Sequence, residues 1–370
     1  MILLFSKLGR YLYSQTLQGL SLVLGIVLTL ILLVDFVEQT RTVGARAENA
    51  NPFALGQLTL LKTPMLVETT LPFIILFGTM YALFRLNRRS ELIVMRAAGL
   101  SAWRFLTPPL ALAIIIGLLA PVALNPIAAE MNAEFEQRRA EMVRGETQTQ
   151  VVSQGRLWLL GGSPGQKTII RATAVDQGND ELINATFFFY EPDIDGQMSF
   201  VERIDAERAA LRAGFWQLEN AVESSPGAQP RALEAVSFPS NIDSETVFDR
   251  EEQAKSLSFW RLRDAMRTAE SSGASSRNYE IRFFSLAAMP LMLAAMAMIG
   301  AAVSLRLARL GGALPLAVLG GAGGFLLFFT DDLLAAIAES GSLPPALAAS
   351  AAPLAALFLA TAFIAQMEDG

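Results

Sequence analysis

The sequence predicts an α-helical membrane protein with six transmembrane helices and a β-rich, water-exposed domain inserted between the third and the fourth. Three observations carry this. Hydrophobic residues fill 52% of the 370 positions and charged ones only 17%, with a mean hydropathy of +0.40, whereas soluble domains carry about 25% charged residues. Long uncharged runs occupy both ends of the chain, and most ionisable residues fall in the middle. That middle alternates apolar and polar residues between turn-forming clusters.

Six runs reach, or nearly reach, the roughly 20 apolar residues that a helix needs to cross hydrocarbon. They are Tyr11–Val34, Thr69–Phe84, Phe105–Ala129, Phe283–Leu305, Leu310–Thr330 and Ser340–Met367. The second is short, and Glu68 and Arg85 at its ends are expected to snorkel outward. Pro108, Pro109 and Pro121 near the ends of the third are tolerable where freed carbonyls find partners. The first run exceeds the roughly 7–15 apolar residues of a signal peptide, so an uncleaved helix is expected.

The Lys/Arg bias sets orientation. One set of segments holds Lys7, Arg10, Arg85, Arg88, Arg89, Arg96, Arg104, Arg306 and Arg309. The opposite short loops hold only Arg41, Arg46 and Lys62. Both termini are therefore expected in the cytoplasm, and the organisation is 1–129 for spans one to three, 130–278 for the inserted domain and 279–370 for spans four to six.

The insert opens with a polar helical run, "AEMNAEFEQRRAEMVRGE", continuing the third span. β-like segments come next: "RLWLL", "KTIIRATAV", "NATFFFYEP" and "MSFVERIDAERAALRAGFWQLENAVE". Their alternation suits an antiparallel sheet with one wet face. An amphipathic helix, "SFWRLRDAMRTAESSG", leads back to the membrane, with Gly273 as its C-cap.

Several chemistries are excluded. The chain has no cysteine and no histidine, which removes disulfides, Cys/His metal sites and Ser-His-Asp or thiol catalysis. No basic tract points to nucleic acid. "GGSPGQKT" (Gly161–Thr168) approaches a P-loop, but Gln166 stands where the second glycine belongs and β-branched residues come after it, so a hairpin turn is expected. No catalytic residue, metal site or cofactor is assigned to this chain.

The stretch "RRSELIVMRAAGLSAWR" (Arg88–Arg104) predicts a short capped helix at about 88–99. Ser90 is placed as its N-cap, Glu91 complements the positive end of the helix dipole, and Gly99 ends it as C′. Leu92, Ile93 and Met95 give an apolar side, with Arg88, Arg89 and Arg96 around it. Two readings fit equally on physical grounds. It is a connector whose arginines meet lipid phosphates, or it docks on a cytosolic partner.

In the fifth span Gly320-xxx-Gly324 is a close-packing pattern, read either as a mobile gate or as ordinary tight packing. Asp331 and Asp332 end that span and are read as solvated or gate-lining carboxylates rather than a catalytic dyad. Phe325, Phe328 and Phe329 face lipid or line an acyl-chain cavity.

These segments together resemble the LptF/LptG permease family. The resemblance runs through "GRYLYSQT" and "VDFVEQTR" around span one, the "SELIVMRAAG" core, "SQGRLW" in the insert, "SSGASSRNYEIRFFSLAAMPL" entering span four and "FLLFFTDDLL" in span five. The "FVEQ" segment and the span-four entry lean to the LptG branch. The resemblance implies an inner-membrane subunit of a Gram-negative lipopolysaccharide exporter, with a periplasmic β-jellyroll-like insert. It implies a cytosolic ABC ATPase dimer, which binds ATP and Mg, as partner. An LptF-like permease chain and a single-span, LptC-like periplasmic bridge complete the assembly. Arg88, Arg89, Glu91, Leu92, Ile93, Met95 and Arg96 would couple to the ATPase. Arg41 and Arg46 would meet the phosphates of lipopolysaccharide, and Gly320, Gly324, Phe328 and Asp331 would belong to a lateral gate. Asp35 and Thr42 stand where LptG proteins can carry lysine. Two other readings fit less well. Mechanotransmitting ABC permeases usually place the extracytoplasmic domain after span one. An ion-coupled transporter needs ionisable residues near mid-membrane, and the six runs hold none.

Overall fold

The structure is a computed structural model that describes residues 7–44, 51–144, 150–153, 156–161, 167–176, 181–192, 198–212, 215–227, 229–239, 256–271, 276–307 and 313–369. The chain divides into two compact units. One comprises Met1–Asp35, Thr63–Ala128 and Phe283–Gly370; the other comprises Phe36–Lys62 and Ala129–Arg282. The second unit thus takes in Phe36–Lys62, which the sequence reading grouped with the spans.

The helices are α1 (Lys7–Thr42), α2 (Pro52–Arg88), α3 (Glu91–Ala97), α4 (Ala102–Leu119), α5 (Asn125–Arg144), α6 (Phe259–Ser271), α7 (Arg277–Ala287), α8 (Met289–Leu307), α9 (Ala313–Glu339) and α10 (Pro345–Asp369). A π-helical turn, Ala120–Leu124, joins α4 to α5. Among the described residues five helices are long and apolar enough to cross a bilayer, and α7 with α8 makes a sixth if the bent pair is one span. That pair bends by 49° beside Pro290, whose nitrogen has no hydrogen to donate to the preceding turn.

One expectation is overturned, and two helices run on past their apolar runs. The third run continues through the π turn to Arg144, as the polar helical run that comes after it predicts. The fifth helix, α9, runs on past Asp331 and Asp332 to Glu339. Glu68 does not snorkel. It is 3% exposed, and the Asn125 side-chain amide donates to its Oε2 at 3.0 Å. A carboxylate turned inward finds a donor there that the lipid side does not offer.

In the first unit, helix approach is governed by glycine. A Cβ on Gly19 of α1 would lie 2.6 Å from the Gly78 carbonyl oxygen of α2, and one on Gly117 of α4 would lie 2.4 Å from Pro290 Cα of α8. Leu20, Ile75, Leu76, Met80, Leu293 and Met296 fill the space around these crossings.

The second unit is built on one antiparallel sheet: β1 (Gln150–Ser153), β2 (Arg156–Gly161), β3 (Lys167–Ala172), β4 (Ala174–Asp176), β5 (Glu181–Pro192), β6 (Met198–Arg212), β7 (Phe215–Ser224) and β8 (Arg231–Pro239). Its order is β1-β2-β3-β5-β6-β7-β8, with β4 also pairing β5, so the jelly-roll-like expectation takes the simpler connectivity of a meander. Gly161 pairs with Thr168 across the β2–β3 hairpin, as the turn reading of "GGSPGQKT" requires. Phe187 and Trp216 pack edge to face in the core of the sheet. Gly273 lies outside the described residues.

A crease crosses this sheet. The core takes Leu182 then Ala185 on β5, Ala206 then Ala209 on β6, Leu218 then Ala221 on β7, and Leu233 then Val236 on β8. Each step is three residues instead of the two of a regular strand. The steps are in register, since Leu182 faces Ala209, Ala209 faces Leu218, and Leu218 faces Val236. Asn184 and Asn220 absorb the change with φ of 48° and 51°, a conformation asparagine tolerates better than most residues. Asn220 Nδ2 donates to Glu207 Oε2 at 2.8 Å between them.

Two outcomes are expected. Gly117→Val must push α4 from α8, lowering stability by about 1–3 kcal/mol, read as a lower thermal midpoint in detergent. On β6, the Glu202 carboxyl is pushed above the ordinary range, first by burial and then by the Glu223 and Glu191 carboxylates. The folded state therefore holds that proton more tightly, and stability falls as pH rises from 4.5 through the raised value. Glu202→Gln should flatten this fall and raise the neutral-pH midpoint.

Candidate functional site

The site is built around α3, joined to α2 by only Arg89 and Ser90. In this two-residue turn Ser90 takes a left-handed conformation, φ 60°, and its hydroxyl makes no capping bond. The expected N-cap is therefore absent, because capping requires extended backbone. A longer-range contact secures the start of the helix instead. Tyr11 Oη of α1 donates to Glu91 Oε2 at 2.7 Å, and Arg89 Nη1 lies 3.9 Å from Glu91 Oε1. The far end agrees with expectation. Gly99 has φ 81°, its N–H donates to the Arg96 carbonyl, and the Leu100 N–H donates to the Met95 carbonyl, a Schellman closure.

The apolar residues of α3 divide between two sides. Leu92 and Met95, one turn apart, are buried in the chain's own core with Leu12, Leu86, Phe105 and Ile364. Ile93 and Val94 are 63% and 65% exposed, and Arg88, Arg89 and Arg96 are exposed beside them. Of the apolar residues assigned to a partner by the sequence, Leu92 and Met95 are thus occupied internally, Ile93 is open, and Val94 was missed. The signal for Val94 was present: in a helix, residues 92 and 95 share a face that 93 and 94 leave. Tyr11 was missed because nothing local ties it to residue 91.

The gate residues converge on α2. Gly320 and Gly324 are buried against it, and a Cβ on them would lie 2.3 Å from Met80 Sδ and 2.4 Å from Leu76 Cδ2. Phe328 continues the stripe, its ring 5.4 Å from that of Phe73. Asp331 comes next on the same side, and its Oδ1 is buried without a hydrogen-bond partner among the described residues. The opposite side of α9, with Phe325, Leu326 and Phe329, is exposed, as are Leu30, Leu33 and Val34 on α1. Arg41, at the end of α1, is exposed; Arg46 lies outside the described residues. Asp35 is 5% exposed, so it is not presented to a ligand as a surface lysine would be. Among the described residues no three acidic side chains converge as metal ligands would.

Residues 10–366 match the family model described as lipopolysaccharide export system permease LptF/LptG. The chain is 23% identical over 303 residues, 79% of each chain, to the lipopolysaccharide export system permease protein LptG of Escherichia coli K12, and equally so to that of Escherichia coli O6:H1. The chain belongs to the LptF/LptG family.

Tyr11→Phe should free Glu91 and weaken the start of α3 by about 0.5–1.5 kcal/mol. The measurement is hydrogen exchange, with the Val94 and Ala98 amides exchanging about 2–10 times faster.

Proposed function

We propose that this member of the LptF/LptG family is a non-catalytic membrane subunit that couples a cytosolic ABC ATPase dimer to extraction of lipopolysaccharide from the inner membrane. The observation that carries the reading is the division of α3. One side is fixed on the chain's own bundle through Leu92, Met95 and the Tyr11–Glu91 bond, and the other presents Ile93, Val94 and Arg96. A helix held in this way moves with its bundle when a partner pushes on its open side. A connector resting on lipid would need no such anchorage.

In this reading both termini are cytoplasmic, the β domain is periplasmic, and the ATPase binds ATP and Mg. A second, LptF-like permease chain and an LptC-like bridge complete the path. The exposed apolar sides of α1 and α9 meet lipid acyl chains or the second permease chain. Arg41 pairs with phosphate on the substrate, a charge-assisted contact that suits a guanidinium.

Ile93→Asp and Val94→Asp place a charge on the open side and leave the Leu92–Met95 side intact. Each is expected to reduce recovery of the ATPase with the purified chain at least tenfold, without moving the chain's own thermal midpoint. Full recovery of ATPase with both variants would remove the docking role. Glu91→Lys should uncouple export more strongly than Tyr11→Phe, because it reverses a charge as well as cutting the bond.

A further inference from the structure

Two weak points in neighbouring helices face each other in the first unit. On α2, Glu68 is bracketed by Pro64 and Pro72. Pro72 has no N–H to donate to the Glu68 carbonyl, and Pro64 none for Leu60, so the helix lacks two rungs within three turns. On the α4–α5 rod, the π turn Ala120–Leu124 ends immediately before Asn125. π turns of this kind recur at functional positions. The Glu68–Asn125 bond joins these points, with its partners 3% and 1% exposed.

The π turn also sets the direction of Asn125. One extra residue rotates every later position by about 100° around the helix axis. Counting from buried Gly117, that shift brings Asn125 onto the inward side shared with Ala113. A regular helix would carry it toward the side of Leu118 and Val122, which are 55% and 47% exposed. The irregular turn and the buried acid are thus matched to one another.

Position supplies the third argument. Counted along the helices at about 1.5 Å per residue, the bond lies roughly 30–35 Å from the α3 end of both α2 and α4. Both rods leave the first unit just beyond it, α2 between Lys62 and Thr63 and α5 between Ala128 and Ala129. The bond is therefore at the opposite end of the α2–α3–α4 hairpin from the docking helix.

We propose that Glu68 and Asn125 are positioning residues for export: their bond pins the two weak points so that α2 and α4–α5 carry the displacement of α3 as one body. The proposal rests on the coupling role of α3. A buried carboxylate is a poor way to stabilise a membrane bundle when an apolar side chain of the same size fits. A bond that fixes the register of two helices is a sufficient reason to keep one.

The test uses the whole transporter, reconstituted with its ATPase in vesicles containing lipopolysaccharide, and reads lipid released per ATP hydrolysed. Glu68→Met and Asn125→Leu conserve volume and remove the bond. Each should lower release per ATP at least fivefold, with ATP hydrolysis and ATPase recovery within twofold of the unaltered complex. Glu68→Gln keeps an acceptor for the Asn125 amide and should lose less than twofold. Because the chain has no cysteine, Glu68→Cys with Asn125→Cys gives a single pair of thiols in it. Bridging them with a short bis-methanethiosulfonate reagent, the bridge confirmed by mass, should restore release per ATP to more than half, and reduction of the same preparation should abolish the gain. Unchanged coupling in Glu68→Met and Asn125→Leu, or a bridged pair no better than the reduced one, overturns the proposal. Absence of release by the unaltered complex instead overturns the export reading itself.

Discussion

The membrane unit depends on how closely other helices approach α2, and at Gly19, Gly300, Gly320 and Gly324 that approach leaves no room for a Cβ. Lipid offers little hydrophobic drive for one helix to meet another, so surface contact has to supply the attraction. Of the five long apolar helices among the described residues, α2 is the most enclosed, with 61% of its apolar stretch buried against 11 to 33% in the others. Gly19 admits it to α1, Gly300 of α8 sits over its Leu76 carbonyl, and Gly320 and Gly324 of α9 receive Met80 and Leu76. With α2 fixed on three sides, whatever is attached to its ends has a defined position.

At one end, after two residues, that attachment is α3. The arrangement explains why α3 carries more apolar residues than a surface helix of seven residues needs. One pair belongs to the bundle and the other does not, so the same short helix is anchored on one side and available on the other. Tyr11 adds a polar tie to α1, which brings a helix remote in sequence into the same small assembly. Gly99 then closes the helix and turns the chain into α4.

Much of this was legible in the sequence, and the remainder was hidden for identifiable reasons. The apolar runs, the Gly99 terminus and the close-packing glycines are local patterns whose physics is nearly independent of the fold. Glu68 was not legible, because an acid at the end of an apolar run suits snorkelling outward as well as bonding inward, and only the phase of the π turn decides. The misplaced cap at Ser90 has a similar origin: the residue type was right for a cap, but the left-handed backbone of the two-residue turn does not suit one. The sheet was recognisable by alternation, yet the single three-residue step in each strand looks, in one strand alone, like a lapse in the pattern.

That crease constrains the lengths of the strands as a set. Deleting one residue between Ala206 and Ala209 would restore strict alternation within β6 alone. Everything beyond it would then exchange core for solvent, while β5, β7 and β8 kept their faces. Compensation would require the same deletion at residues 183–184, 219–220 and 234–235. Lengths along this line are therefore shared among four strands, and a related chain is expected to keep the step in all of them or in none.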